Sequence, residues 1–383
     1  SVEHHKSAGP FTTVPLPDGR SSLVWMERPA RAEALMGMTD ANLAAEIQIA
    51  THGELGLISS IGPRKAFPMK GLTARHFAKN RTLLVGEAAH AAPPIGAQGL
   101  NMSLIDAAVA VDLILAAERP VLYVGGGVLK ARGAEVLRQL AELGNLPVVT
   151  TLMARGAFPD SHQLCLGMPG MHGNYTAVTA IQQADLLIAM GSRFDDRVTG
   201  KVGAFAPGAK VVHVDIDPAE HGKVRQPDVS VVGDCKVAME LMLAEITRRG
   251  GRTAFADHTP WRQRLSGWQE RYPLVYEQSA PGELLKPQFV IESLRDACPA
   301  DTIVASGVGQ HQMFTSQYWR FDHPYTWVNS GGLGTMGFSI PAAIGAKVGM
   351  PDRLVWAVDG DGCFQMTGQE LVTASVEKVP IKV

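Results

Sequence analysis

From Arg119 onward, short apolar runs alternate with amphipathic stretches. "PVLYVGGG" reads as a strand and turn, and "LKARGAEVLRQLAELG" as a helix closed by Gly144 as its C-cap. "PVVTT", "DLLIAMG", "KVVHVDID" and "VSVVGD" are further short strands, with helical stretches near 176–184 and 234–249. Near-continuous apolar strands separated by helices predict a parallel, doubly wound α/β sheet. A second alternating block opens with "PQFVIESLRDAC" and "DTIVAS" and runs to "VWAVDGDG". It is still alternating at Val383, so the expectation is a truncated α/β domain. Residues 250–287 are polar, carry several Arg and Trp, and read as a connection.

The first hundred residues have a different texture. Strand-like runs such as "SSLVWME" mix with Pro and Gly turns, and a helical pattern covers about 31–50. "RTLLVGEAAH" reads as a buried strand entering a glycine-rich loop, and 98–118 is apolar at helical spacing. The expected domains are 1–112, 113–250, a linker at 251–287, and 288–383.

Composition changes this picture little. The 383 residues are 46% hydrophobic and 19% charged, with 35 Lys+Arg against 37 Asp+Glu. That balance favours neither nucleic acid nor an anionic membrane as partner. No apolar run reaches the length of a membrane-spanning helix, and the N-terminus lacks a signal-peptide pattern. The first residue is Ser rather than Met, which suggests processing or truncation. Cys165, Cys235, Cys298 and Cys363 are far apart and form no CxxC pair, so they read as free thiols of a cytoplasmic protein.

Three constellations carry candidate chemistry. In "GEAAHAAPPIGAQGLN" (86–101), a strand precedes and a helix follows, and the glycines admit a flat or charged ligand. Glu87 is placed to accept from a hydroxyl there. A plain Gly/Pro-rich turn explains the same spacing. The string resembles the second flavin motif of class A flavin monooxygenases, especially hydroxylases of ubiquinone biosynthesis. That resemblance covers about 1–110 and implies an α+β hydroxylase-like fragment, with Glu87 in the place of the acidic residue that holds the flavin ribityl chain. No strand-GxGxxG-helix element precedes residue 86, so a working hydroxylase site built from this segment alone is not expected.

The second constellation gathers strand-end features between 120 and 250: Gly125-Gly126-Gly127, "TTLMARG", "GSRFDDRVTG" and "VDID". In open α/β sheets ligands bind at the carboxyl ends of strands. Arg193 and Arg197 suit diphosphate oxygens and Asp215 a ribose or adenine edge. An Arg/Asp surface loop with internal salt bridges remains the plain alternative for "RFDDR". With "LGMPGMHG", these strings closely resemble the central domain of acetolactate synthase large subunits. That domain carries a structural, redox-inactive FAD. The resemblance implies FAD contacts at Gly125, Gly126, Gly127, Thr151, Leu152, Met153, Met171, His172, Gly173, Gly191, Arg193, Asp195, Arg197, Asp215, Ile216 and Asp234.

The third constellation is Gly360-Asp361-Gly362 at a strand end, with "VASGVGQHQMF" and "SGGLGTMGFS" as companion loops. A carboxylate between glycines suits Mg²⁺ beside a diphosphate, although a lone GDG is also a common turn. The same resemblance implies thiamine diphosphate. Asp361 would be the metal ligand, Gly309, Gln310, His311 and Gln312 would lie at the diphosphate, Gly334 at the pyrimidine, and Met336 would be the wedge that bends the cofactor. The family's second metal ligands, an Asn pair beyond the GDG, fall after Val383. Its pyrimidine-binding domain, which carries the activating Glu, has no counterpart in the sequence. The expected function is that of a carboligase joining pyruvate-derived units to a second 2-oxo acid, inactive as this fragment. Homo-oligomers and a regulatory subunit are the implied partners. A flavin hydroxylase and a non-catalytic flavin-binding chimera are the alternatives, with the seam between about Asp106 and Arg119.

Overall fold

A strand buried on both faces has no polar side to show water, and "PVLYV" and "LLIAM" are such strands. The computed structural model describes residues 2–6, 8–16, 19–66 and 98–383, with two-residue strands at 72–73, 78–79, 82–83 and 90–91. It divides into two compact units, Ser1–Met102 and Ser103–Val383. Glu87 and the loop around it lie outside the described residues.

In the first unit, β1 (Val2–Lys6), β2 (Gly9–Pro15) and β3 (Ser21–Trp25) form an antiparallel sheet. Helices α1 (Pro29–Met36) and α2 (Asp40–Ala50) follow, split at Gly37 to Thr39 where one helical pattern was expected. Thr39 caps α2 by accepting from the Asn42 amide. Phe11, Leu35, Leu43, Ile47 and Ala50 form this unit's buried cluster.

Helix α3 (Gln98–Ala116) crosses from the first unit into the second. After it come β4 (Pro120–Val124), α4 (Gly127–Lys130), α5 (Ala134–Gly144), β5 (Val148–Thr150), α6 (Tyr175–Gln183) and β6 (Leu186–Met190). Then follow α7 (Asp196–Thr199), β7 (Lys210–Asp215), β8 (Val229–Val232) and α8 (Cys235–Arg248). The strands make one parallel sheet ordered β8-β7-β6-β4-β5. Alternate residues serve opposite faces. Leu122, Val124, Ile188 and Met190 join Leu137, Leu140, Met239 and Met242 on one side. Val121, Tyr123, Leu187 and Ala189 join Ala177, Ala180, Trp261 and Leu265 on the other.

Two expectations are corrected here. The helix expected to end at Gly144 is two helices, broken where Arg132 takes a positive φ, and the left-handed cap is Asn145. Asn tolerates that conformation better than other non-glycine residues. The stretch expected to be a simple linker contains α9 (Thr259–Arg271). Its Trp261 and Leu265 are buried against the second face of the sheet, and Trp261 Nε1 donates to the Pro120 carbonyl. The polar majority of that sequence hid two apolar anchors four residues apart.

Next come α10 (Pro287–Asp296), β9 (Ile303–Ser306), α11 (Gln310–Tyr318), β10 (Trp327–Asn329), α12 (Ser339–Gly349), β11 (Val355–Val358), α13 (Asp361–Thr367) and α14 (Glu370–Val376). Their parallel sheet is ordered β10-β9-β11. Val348, Val372 and Val376 are exposed on its outer helices.

The two parallel sheets are tied together by polar contacts, of which those of Arg155 are buried. Arg155 is buried; it pairs with Asp160 and donates to Thr150 Oγ1 at 2.8 Å and to the Ser316 carbonyl at 3.2 Å. Its guanidinium also sits 5.8 Å from the Phe321 ring centroid. Asp160 in turn accepts from the Phe321 amide at 2.9 Å. Trp327 Nε1 donates to the Leu152 carbonyl and Tyr325 to the Leu129 carbonyl.

Arg155→Ala strands the Asp160 carboxylate in the interior. It is expected to lower unfolding free energy by ~3–5 kcal/mol, and replacing both partners with apolar residues should recover much of that loss. A denaturant midpoint for Arg155→Ala within error of the parent would contradict this. A pH effect is also expected. Burial, reinforced by His221, holds the His213 imidazole below its usual value against the opposing Ser192 carbonyl and Asp215. Burial likewise depresses His311. The unfolded chain therefore takes up protons first on acidification. Stability is full above about pH 6.5 and erodes as pH falls through the ordinary histidine range toward the depressed values. Urea midpoints should drop between about pH 7.5 and about pH 5.5, with a flatter slope in His213→Gln; a constant or rising midpoint would refute it.

Candidate functional site

In the central sheet the chain leaves β4 for one neighbour, β5, and later returns to the other, β6. The crevice outside the carboxyl ends of β4 and β6 is therefore a topological switch point, where open α/β sheets bind ligands. Gly125 follows β4 and Gly191 follows β6. A Cβ at Gly125 would collide with the Gly191 carbonyl, and one at Gly127 would lie 2.7 Å from the Gly191 Cα. Gly191 itself has φ +59°. These glycines are required first by each other, so that two turns can meet across the crevice.

A cavity of about 1080 Å³ opens there. It is lined by Gly125, Gly126, Gly127, Thr151, Leu152, Met153, Met171, His172, Gly191, Arg193, Asp195, Arg197, Asp215 and Ile216. From the other sheet it is lined by Gly309, Gln310, Gln312 and Gly334. Two residues expected with the first group are not in the lining. Asp234 caps α8, accepting from the Lys236 amide at 2.8 Å and the Val237 amide at 3.2 Å. Gly173 sits in a tight turn where a Cβ would lie 2.6 Å from the Met168 carbonyl. Lys130, Asp217, Val308, Met313 and Gly332 also line the cavity and were not singled out by sequence. Asp217 and Val308 lie two positions beyond the ends of β7 and β9, the signal that could have found them; Lys130, Met313 and Gly332 lie further from a strand end.

The cavity lining mixes charged, polar and apolar side chains. Arg193 and Arg197 are exposed, with only long contacts to Asp195 (3.5 Å) and Asp196 (3.4 Å). Their charge is therefore available to an anion. Asp215 is buried and accepts from the Asp217 amide at 3.0 Å. Burial pushes the Tyr123 phenol up to about 12, so this lining group stays neutral. Gln312 is 4% exposed, and its Nε2 donor has no partner in the protein. A buried amide donor in a cavity wall calls for an acceptor inside the cavity. Volume, paired arginines and this donor fit a dinucleotide with a diphosphate. The volume reaches the upper end of the ~300–1,000 Å³ usual for small-molecule sites.

The second sheet repeats the geometry. The chain leaves β9 for β10 and returns on β11, so the loops after β9 and β11 flank a second switch point. The Gly360-Asp361-Gly362 turn lies there. A Cβ on Gly360 would be 2.8 Å from His311 Nδ1, and one on Gly362 would be 3.3 Å from Met336 Cε. Thus His311, Met336 and the GDG turn, far apart in sequence, meet in space. Asp361 is exposed in a hollow of about 350 Å³ with Asp359, Gly360, Phe364 and Gln365. An exposed carboxylate at a helix start, with glycines on both sides, fits a hard cation beside a phosphate. Of the residues expected at the second site, Gly360 and Asp361 line this hollow, while His311, Met336 and Gly362 line neither it nor the larger cavity. Asp359 was not singled out by sequence.

The four cysteines are free. Burial pushes the Cys165 and Cys235 thiols up to about 12, which keeps both unreactive. Among the described residues, no helix is long and apolar enough to cross a membrane.

Comparison with known proteins follows the same division. Residues 107–242 match the thiamine pyrophosphate enzyme central domain, and 307–383 match the C-terminal TPP binding domain of such enzymes. Residues 3–119 match an FAD binding domain. The first and last of these matches along the N-terminal half overlap at 107–119, in the last turns of α3 and the residues after it. The acetolactate synthase large subunit of Corynebacterium glutamicum is 57% identical over 274 residues, which is 72% of this chain and 43% of that protein. The acetolactate synthase of Mycobacterium bovis is 56% identical over 276 residues, 72% of this chain and 44% of its own length. Acetolactate synthase 2, chloroplastic, of Nicotiana tabacum is 47% identical over 273 residues, 71% of this chain and 40% of the relative. The chain spans less than half the length of these relatives. From residue 107 onward it therefore carries the central and cofactor-binding domains of a thiamine pyrophosphate enzyme, similar to those of acetolactate synthase large subunits, behind a segment that matches an FAD binding domain.

Proposed function

We propose that residues 103–383 bind FAD in the large cavity, and Mg²⁺ with the diphosphate of thiamine diphosphate at the GDG hollow, as the cofactor half of an acetolactate synthase-type carboligase. One observation carries the reading: a single cavity lined by the strand ends of one sheet and by the loop after β9 of the other. Arg193 and Arg197 neutralise the flavin diphosphate, the Gly125–Gly127 turn admits it, and Asp215 receives a hydroxyl. Gln312 donates from the wall shared with the second loop. Asp361 gives Mg²⁺ a hard oxygen, and Met336 presents an apolar side chain beside the turn. Thiamine diphosphate, when bound, supplies decarboxylation of a 2-oxo acid such as pyruvate and transfer of the remaining unit to a second 2-oxo acid. The flavin has a structural task in this reading, because its cavity is part of the joint between two sheets. Assembly with further copies or a regulatory subunit, and a cytoplasmic location, belong to the same reading.

The residues that match thiamine enzymes are 107–242 and 307–383. Asp361 is the one carboxylate assigned to Mg²⁺ among them. We therefore expect the 383-residue polypeptide, tested by itself, to bind FAD without turnover. Purified chain should quench flavin fluorescence at one FAD per chain, and replacing both Arg193 and Arg197 with Ala should weaken binding at least ~10-fold, since each charge-assisted contact contributes ~1.5–3 kcal/mol. Unchanged affinity in that double variant would remove the assignment. Acetolactate formed from pyruvate by this polypeptide would overturn the absence of turnover, and oxygen-dependent consumption of reduced nicotinamide would point to a hydroxylase instead.

A further inference from the structure

Behind the GDG turn, three side chains converge that the proposed cofactor assignments leave without a metal role. His311 Nε2 and Asp359 Oδ1 are 3.7 Å apart. The ligand atoms of His311, Asp359 and Cys363 all lie within 4.8 Å of one another. At 3.7 Å the first two are too far apart for a hydrogen bond. Asp359 is 3% exposed at its side chain, and neither of its oxygens has a partner; His311 Nε2 is also buried and unpartnered. A buried carboxylate with both oxygens unsatisfied costs several kcal/mol unless something cationic sits against it, on the order of the ion desolvation penalty. Asp361 lines the same hollow but is exposed, whereas the Asp359 side chain is buried.

The space between the three groups is built into the backbone. A Cβ on Gly307 would collide with Asp359 Oδ1, and would lie 2.9 Å from His311 Nε2 and 3.1 Å from Cys363 Cβ. Glycine at 307 therefore keeps the point of convergence open. Cys363 is held in place by the Val308 backbone: its Sγ donates to the Val308 carbonyl at 3.2 Å and accepts from the Val308 amide at 3.4 Å. Asp359 also borders the hollow, which provides an entry path.

We propose that His311, Asp359 and Cys363 bind a borderline-soft divalent cation of the Zn²⁺ or Co²⁺ class, at a site distinct from Asp361. Two ligands of a tetrahedral ion with bonds of ~2.0–2.3 Å lie ~3.4–3.6 Å apart, close to the His311–Asp359 separation. Imidazole with thiolate selects this class over Mg²⁺, which prefers oxygen ligands throughout. Water from the hollow completes the fourth position. This inference does not depend on FAD, thiamine diphosphate or turnover.

The test is a Co²⁺ titration of the 383-residue chain in excess Mg²⁺, followed by thiolate-to-cobalt charge-transfer absorption. One Co²⁺ per chain is expected, displaced by Zn²⁺ and not by added Mg²⁺. His311→Ala, Asp359→Asn and Cys363→Ser should each weaken it at least ~10-fold, the lower bound for disturbing a metal's ligand shell. Cys298→Ser and Asp361→Asn should leave it unchanged. Circular dichroism melts of each variant separate loss of the site from loss of the fold, and Zn²⁺ should raise the melting temperature of the parent but not of Cys363→Ser. Absence of the thiolate band, its survival in Cys363→Ser, or its dependence on Asp361 would each overturn the proposal.

Discussion

The buried pairing of Arg155 with Asp160 is the contact on which the rest of the second unit's arrangement depends. Arg155 leaves the end of β5 and reaches the carbonyl of Ser316, on α11 of the other sheet. Asp160 accepts the amide of Phe321 from that same side. A planar guanidinium can meet a carboxylate, a hydroxyl, a carbonyl and an aromatic face together, which an ammonium cannot. Pairs buried in this way are weak sources of net stability but costly to break. Their effect here is geometric: they fix which edges of the two sheets face one another, and so define the cavity between them.

Both candidate sites follow from one topological fact. Each parallel sheet has a switch point, between β4 and β6 in the first and between β9 and β11 in the second. Chain crossing to opposite sides leaves a crevice at the strand carboxyl ends. The glycines fill these crevices with backbone rather than side chain. Gly125, Gly127 and Gly191 pack on one another, and Gly307 and Gly360 pack on His311 and its neighbours. Loops that carry chemistry are thus held by rigid sheets, which is how a precise constellation is kept in place.

Much of this was legible in the sequence because doubly buried strands leave an unmistakable apolar run. "PVLYV", "LLIAM" and "KVVHVD" are strands where they were expected, and the strand-end loops that follow them line the cavity. Helix α9 was not legible, because two buried residues, Trp261 and Leu265, anchor an otherwise polar stretch. The break between α4 and α5 was hidden because Arg132 gives no warning of a positive φ. Asp234 was grouped with the flavin contacts, and the structure makes it a helix cap, a task Asp performs at many strand-to-helix turns. Arg155, Asp160 and Asp359 were missed because the contacts that give them their roles reach far along the chain, to Ser316, Phe321 and His311 respectively, and no local spacing marks those.

We place the flavin in the crevice between the two sheets of residues 103–383 and not at the loop around Glu87. The most direct measurement is a crystal structure of the 383-residue chain grown with FAD. Cofactor density is expected to run from the Gly125–Gly127 turn and the Arg193 and Arg197 side chains toward Gly309 and Gly334. Density against residues 86–101, or an empty crevice at saturating FAD, would contradict it.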